Sequence, residues 1–207
     1  MKIASGYQRY KIENNIITLL KDKKNQVEKF NIITSILPNL IKDKTVLDIG
    51  ASNGVFSFFC ALNGATKVVA LENENQLIGG TNIQLLHQIC KNCNITNVKP
   101  VNMCYSKFTG VKDTVLALAV MHHLYYNIYK DMNKLIKSFS DKCNENLIIE
   151  WVDVRKGGPY QNKSKIYTFE EFETCIKKYF SSMEKLGITN SYTDPERKPR
   201  VTYLCKK

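Results

Sequence analysis

At 207 residues, with 43% hydrophobic and 24% charged side chains, the chain has the size and composition of one globular domain able to bury a sizeable core. Its longest apolar run, Val115 to Met121, is too short to cross a bilayer, and Met1 to Asn15 lacks the apolar stretch of a secretory signal; no membrane association and a cytoplasmic location are expected. Seven cysteines, an odd number, fit free thiols better than a disulfide framework, and thirty Lys and Arg against nineteen Asp and Glu give a net charge of +11.

In chain order, residues 1–40 read as helical, with Ile12, Ile16, Ile17, Leu19 and Leu20, then Val27, Phe30, Ile33, Ile36 and Leu37 at helical spacing. Pro38 and the turn at 42–44 close this layer, after which strands and helices alternate. Strands are expected at 45–49, 67–72, 98–103, 113–120 and 146–152, with helices at 54–63, 77–92, 127–141 and 168–180. Gly64 reads as a helix C-cap. Two closing strands, from Ser182 and from Arg200, have no helix between them and suggest an antiparallel hairpin at the sheet edge. The pattern predicts an α/β fold, a mostly parallel sheet with helices on both faces. Ligands of such sheets sit at the carboxyl ends of the strands.

The first strand ends in Asp48, Ile49, Gly50, Ala51, Ser52, Asn53 and Gly54. A P-loop needs a lysine after its glycines, and none stands here. The dinucleotide fingerprint brings a pyrophosphate to this turn, where Asp48 would repel it, and the glycine spacing differs. S-adenosylmethionine carries an ammonium and a sulfonium but no phosphate, which suits the acid. Glu72, closing the second strand, suits ribose hydroxyls. Asp48, the glycine spacing and Glu72 together favour S-adenosylmethionine.

These residues, followed by Leu116 to Leu124, Leu147 to Val152, Tyr167 to Glu173 and Arg200 to Leu204, resemble the class I S-adenosylmethionine-dependent methyltransferases, and in particular a nodulation-protein-like branch. The resemblance covers residues 45–207 and implies a Rossmann-like seven-stranded sheet with the C-terminal antiparallel hairpin. It places the cofactor against Asp48, Gly50, Ala51, Ser52, Asn53, Gly54, Glu72, Asn73, Cys104, Tyr105 and Val120. Gly54 would let the next helix approach closely, Ser52 replaces a glycine common in the family, and Cys104 stands where the family usually has an Asp beside the adenine. Residues 1–40, with Tyr7, Arg9 and Tyr10, would form a helical lid or substrate segment on a cofactor-binding domain at 41–207, the whole a single domain.

The acceptor is less determined. The fourth strand leads into His122 and His123 rather than the Pro-containing motif of DNA amino-methyltransferases, no Pro-Cys pair exists for cytosine C5 chemistry, and no Asp stands near 120–122 for an RNA 2′-O-methyltransferase of the Lys-Asp-Lys-Glu type. One histidine could be a general base toward a hydroxyl, or both could pack; Glu150 and Asp153 are further polar groups near the expected acceptor. Trp151 reads as core, and the stretch from Asp153 to Tyr167 as a substrate-facing loop. His87, Cys90 and Cys93 repeat every three residues, but no second pair completes a zinc site, and no metal is expected. The leading expectation is methylation of a hydroxyl or amine on a small molecule such as a sugar. The alternatives are RNA, to which the positive charge points, and a non-catalytic partner subunit. The charge has a second reading, since Lys is abundant throughout and scattered more than clustered.

Overall fold

The computed structural model describes residues 3–4, 9–20, 24–74, 82–154, 167–189 and 199–207. Tyr7, the expected start of the helix at 77–92, and most of the stretch between Asp153 and Tyr167 lie outside the described residues. The chain forms two compact units, Met1–Asp113 and Thr114–Lys207.

The first unit opens with a three-stranded antiparallel sheet: β1 (Ile3–Ala4), β2 (Tyr10–Glu13) and β3 (Ile16–Leu19). This corrects the helical reading of the first twenty residues. Asn14 and Asn15 both take positive φ, 49° and 61°, the conformation a two-residue hairpin turn requires. The β2–β3 ladder then pairs Ile12 with Ile17 and Tyr10 with Leu19. Helical character begins only with α1 (Lys24–Thr34) and α2 (Leu37–Ile41), which carries Pro38 in its first turn.

Next come β4 (Thr45–Ile49), α3 (Val55–Leu62), β5 (Lys67–Glu72), α4 (Asn82–Asn92) and β6 (Val98–Asn102), with a 3-10 turn at Tyr105–Lys107. β4 pairs with β5 and β5 with β6, both parallel. Val46 and Leu47 of β4 are fully buried, as a strand covered on both faces requires. The start of β4 is pinned by Asp113, whose Oδ2 accepts from the Thr45 amide and hydroxyl, both at 2.8 Å. Gly64, at φ 102°, closes α3 with Ala65 N–H donating to Cys60 O, so the expected helix stop is present.

β7 (Lys112–Ala117) begins at the junction and leads into the second unit. There follow α5 (Met121–Leu124), a π-helical turn (Tyr125–Tyr129), α6 (Met132–Asp141), β8 (Cys143–Trp151), α7 (Phe169–Tyr179), β9 (Ser182–Thr189) and β10 (Arg200–Lys206). Two expected boundaries move. β7 stops at Ala117 rather than residue 120, because the chain turns at Ala119 with φ 57°. The helix expected from 127 starts at Met132, because Lys130 is left-handed and Asp131 caps the new helix by accepting from Lys134 N.

The seven-stranded sheet has the order β6-β5-β4-β7-β8-β10-β9, a mostly parallel Rossmann-like sheet. β10 lies antiparallel between β8 and β9, as the closing hairpin implied. Opposite β10 the register of β9 shifts between Thr202 and Tyr203, from Gly187 to Lys185, which leaves Leu186 as the extra residue of a bulge.

Candidate functional site

The turn after β4 is shaped by its main chain. Gly50, Ser52 and Gly54 take positive φ of 69°, 50° and 84°. The amides of Gly50 and Ala51 donate to Leu71 O at 2.8 and 3.1 Å, and Gly54 N–H donates to Ala51 O at 2.8 Å. Gly54 has no room for a side chain: a Cβ there would lie 2.2 Å from Leu86 Cδ2 of α4 and 2.9 Å from the Phe58 ring of α3. The expected close approach at Gly54 is therefore present.

Two carboxylates flank this turn. Asp48 is 3% exposed and accepts from Ser57 Oγ at 2.6 Å. Burial pushes its pKa up to about 6; the Ser57 hydrogen bond opposes the shift, the charge of Glu72 adds to it, and that of Lys29 opposes it. Glu72 accepts from Ser52 N–H at 2.6 Å and from Asn73 N–H at 3.1 Å, so the acid closing β5 braces the glycine turn. Glu74 instead caps α4, its carboxylate accepting from the amides of Asn82 and Ile83. Asn102 exchanges hydrogen bonds with the main chain of Glu74 and ties the ends of β5 and β6. Beyond β6, half-buried Cys104 lies with its Sγ 3.2 Å from Ser106 Oγ, and Tyr105 is buried. Tyr10 of the amino-terminal hairpin donates its hydroxyl to Asn53 O at 2.5 Å. This group of residues fits S-adenosylmethionine. It offers acids where a phosphate ligand needs cations, on a turn whose last glycine is packed against Leu86 and Phe58.

The remaining expected residues belong to the second unit. Val120 is half-buried and precedes α5. His122 is buried at 8% exposure and His123 is exposed, with their ring centroids 4.1 Å apart. Burial and the charge of Arg200 hold His123 below the usual histidine pKa. Arg200 Nη1 lies 3.9 Å from Glu150 Oε2, and Glu150 is fully buried. His122, His123, Arg200 and Glu150 are thus linked in sequence of contact and field. Behind Glu150, Trp151 stacks on Tyr167 at 4.6 Å and 8°, and meets Phe172 at 5.1 Å, so Trp151 is core as expected. Asp153 is buried and its charge helps raise the Tyr167 pKa, after burial and the Tyr126 hydroxyl. Among the described residues no group of three His, Cys, Asp or Glu could hold a metal ion.

Four features of these clusters have no counterpart among the site residues expected from sequence: Ser57, Lys29, Arg200 and the hydroxyl role of Tyr10. Ser57 had a signal, since it is a polar residue within the otherwise apolar helix ValPheSerPhePheCysAlaLeu.

A family model described as FtsJ-like methyltransferase matches residues 24–207. Over 176 residues the chain is 29% identical to the tRNA U34 carboxymethyltransferase of Ruthia magnifica subsp. Calyptogena magnifica, covering 78% of this chain and 54% of that protein. A shorter stretch of 58 residues is 45% identical to the histone-arginine methyltransferase CARMER of Drosophila mojavensis, covering 24% of this chain and 11% of that one. The chain therefore spans about half the length of the first relative and about a tenth of the second. Among solved structures, magnesium protoporphyrin IX methyltransferase from Synechocystis PCC 6803 with bound SAM superposes with a TM-score of 0.62 at 14% identity, covering 88% of this chain and 80% of that one. Trm5b from Pyrococcus abyssi gives 0.61 at 16% identity, covering 96% and 55%. At these identities the structures show a shared fold.

Proposed function

The chain belongs to the FtsJ-like methyltransferases, S-adenosylmethionine-dependent enzymes of the class I fold, and on that premise we propose that it modifies RNA. The match bears out the class I methyltransferase resemblance and does not single out the nodulation-protein-like branch. The observation that carries the RNA reading is the likeness to a tRNA-modifying enzyme across 78% of the chain. The net charge of +11 agrees with it, since phosphates attract such a surface. The small-molecule acceptor expected from the sequence is the weaker reading, because the likeness across most of the chain is to a tRNA-modifying enzyme.

When bound, S-adenosylmethionine supplies a sulfonium-activated methyl group open to in-line attack. The chain's own residues hold, orient and move protons. Asp48 and Glu72 would take the cationic and ribose ends of the cofactor, with Gly50 to Gly54 lining it. His123, exposed and with a lowered pKa, is neutral at pH 7 and can accept the proton of an attacking hydroxyl or amine. His122, buried against the same ring, would orient it. Alignment of acceptor and donor contributes the larger share, about 7–11 kcal/mol in well-oriented systems.

The test is transfer of radiolabelled methyl from S-adenosylmethionine to bulk tRNA, with sugars and small amines as competitors. Labelled RNA whose yield falls steeply with added salt is the expected result. Label that enters only the small molecules would overturn the reading. Nucleoside mass in the product separates a methyl from a carboxymethyl addition.

A further inference from the structure

Tyr10 precedes the region that matches the family, which starts at residue 24, yet it is bonded to the turn at the centre of that region. It is 1% exposed, stands opposite Leu19 in the β2–β3 ladder, and lies with its ring centroid 6.5 Å from that of Phe58 in α3. Its hydroxyl donates to Asn53 O. The other end of the same peptide is also held, because Gly54 N–H donates to Ala51 O. The peptide between Asn53 and Gly54 is thus clamped at its oxygen from the hairpin and at its nitrogen from within the turn. One residue earlier, Ser52 N–H is held by Glu72.

This clamp matters because the turn has a conformation it would not keep alone. Ser52 is a non-glycine residue at positive φ, an arrangement that persists only where surrounding bonds over-determine it. A peptide held at both ends cannot rotate about its flanking dihedrals. With the oxygen released, the carbonyl of Asn53, itself buried, has to rotate toward another donor. Burial holds the Tyr10 phenol far above its ordinary pKa, with Cys93, just beyond α4, and Cys90 within it adding to the effect, so it remains a donor at every working pH.

We propose that Tyr10 is a positioning residue for the cofactor turn: its hydroxyl fixes the Asn53–Gly54 peptide in the orientation that receives S-adenosylmethionine. The inference rests on reading the glycine turn as the cofactor site. It gives the amino-terminal hairpin a role in donor binding that the matched region does not contain.

The test is calorimetric titration of the full chain with S-adenosylhomocysteine, for wild type and three variants, with the melting temperature of each. Tyr10→Phe keeps the ring and removes the hydroxyl. Thr34→Ala is the control for a lost bond of the same kind elsewhere, since Thr34 Oγ1 donates to Phe30 O at 2.8 Å within α1. Glu72→Gln tests the site itself. Tyr10→Phe is expected to weaken binding about three- to tenfold, the range of one hydrogen bond, while Thr34→Ala leaves affinity unchanged. If Tyr10→Phe binds like wild type while Glu72→Gln does not, the positioning role is wrong and the site reading stands. Equal weakening by Tyr10→Phe and Thr34→Ala would reduce Tyr10 to general stability and also overturn the proposal. A folded wild type that binds nothing would bring down the site reading, and the role of Tyr10 with it.

Discussion

The two units hold their polar groups by different means. In the first, the carboxylates at the strand ends are fixed by short bonds to main chain and nearby hydroxyls: Asp48 to Ser57, Glu72 to Ser52 and Asn73, Glu74 to the first amides of α4. In the second, Glu150 lies 3.9 Å from Arg200, and a separate cluster of rings gathers on Trp151, with Tyr167, Phe169 and Phe172 against it. A site built on main-chain geometry tolerates little change at a few positions. A site built on ring packing spreads its cost over many side chains and leaves its polar tips free to vary.

Substitutions can break or sharpen this contrast. Trp151→Ala removes a buried ring from the stack and is expected to cost about 3–5 kcal/mol of stability in urea unfolding, while the folded fraction at low temperature still binds S-adenosylhomocysteine. Gly54→Ala reverses the pattern. The added carbon meets fully buried Leu86 and the left-handed φ strains it, together about 2–5 kcal/mol, and cofactor binding is lost even where the chain remains folded. Binding that survives in Gly54→Ala would erase the contrast.

The Asp48 carboxyl, with its pKa raised to about 6, lets the folded chain keep a proton that the unfolded chain has already released. Its contribution to stability is therefore full below about pH 4 and is lost as pH rises through about 6, a change of about 3 kcal/mol. Asp48→Asn keeps an acceptor for Ser57 and removes this slope. It should match wild type near pH 4 and exceed it at pH 8 in denaturant midpoints; parallel curves at both pH values would show that the acid does not carry this cost. The smallest effect is expected at Thr168, whose Oγ1 caps α7 by accepting from Glu171 N at 3.2 Å. Thr168→Ala should lower stability by about 1 kcal/mol and leave binding untouched.

The same contrast decides what the sequence could reveal. β4 and β5 are found at their expected bounds, 45–49 and 67–72, because apolar runs between turn residues leave one solution. Gly50, Gly54 and Glu72 were legible because a turn of main-chain geometry has a short local signature. The hairpin of residues 10–19 was not, since Ile12, Ile16, Ile17 and Leu19 satisfy helical spacing as well as alternation. The Asn14–Asn15 pair was the discriminating signal. Arg200 and Lys29 could not be found locally, as each acts on a residue distant in the chain: Arg200 on Glu150 and Lys29 on Asp48. Of the two histidines, only folding separates the buried His122 from the exposed His123.

Among the described residues β9 ends the seven-stranded sheet, with its outer ladder available to any other extended chain. The bulge at Leu186, in the pairing of β9 with β10, breaks the regularity of this edge strand midway, and Glu184 and Lys185 stand exposed beside it. A regular strand from a second molecule can pair with only a few residues before its register is lost, and it meets charge as it does so. A bulged and charged edge strand is one of the ways in which sheet proteins resist edge-to-edge aggregation.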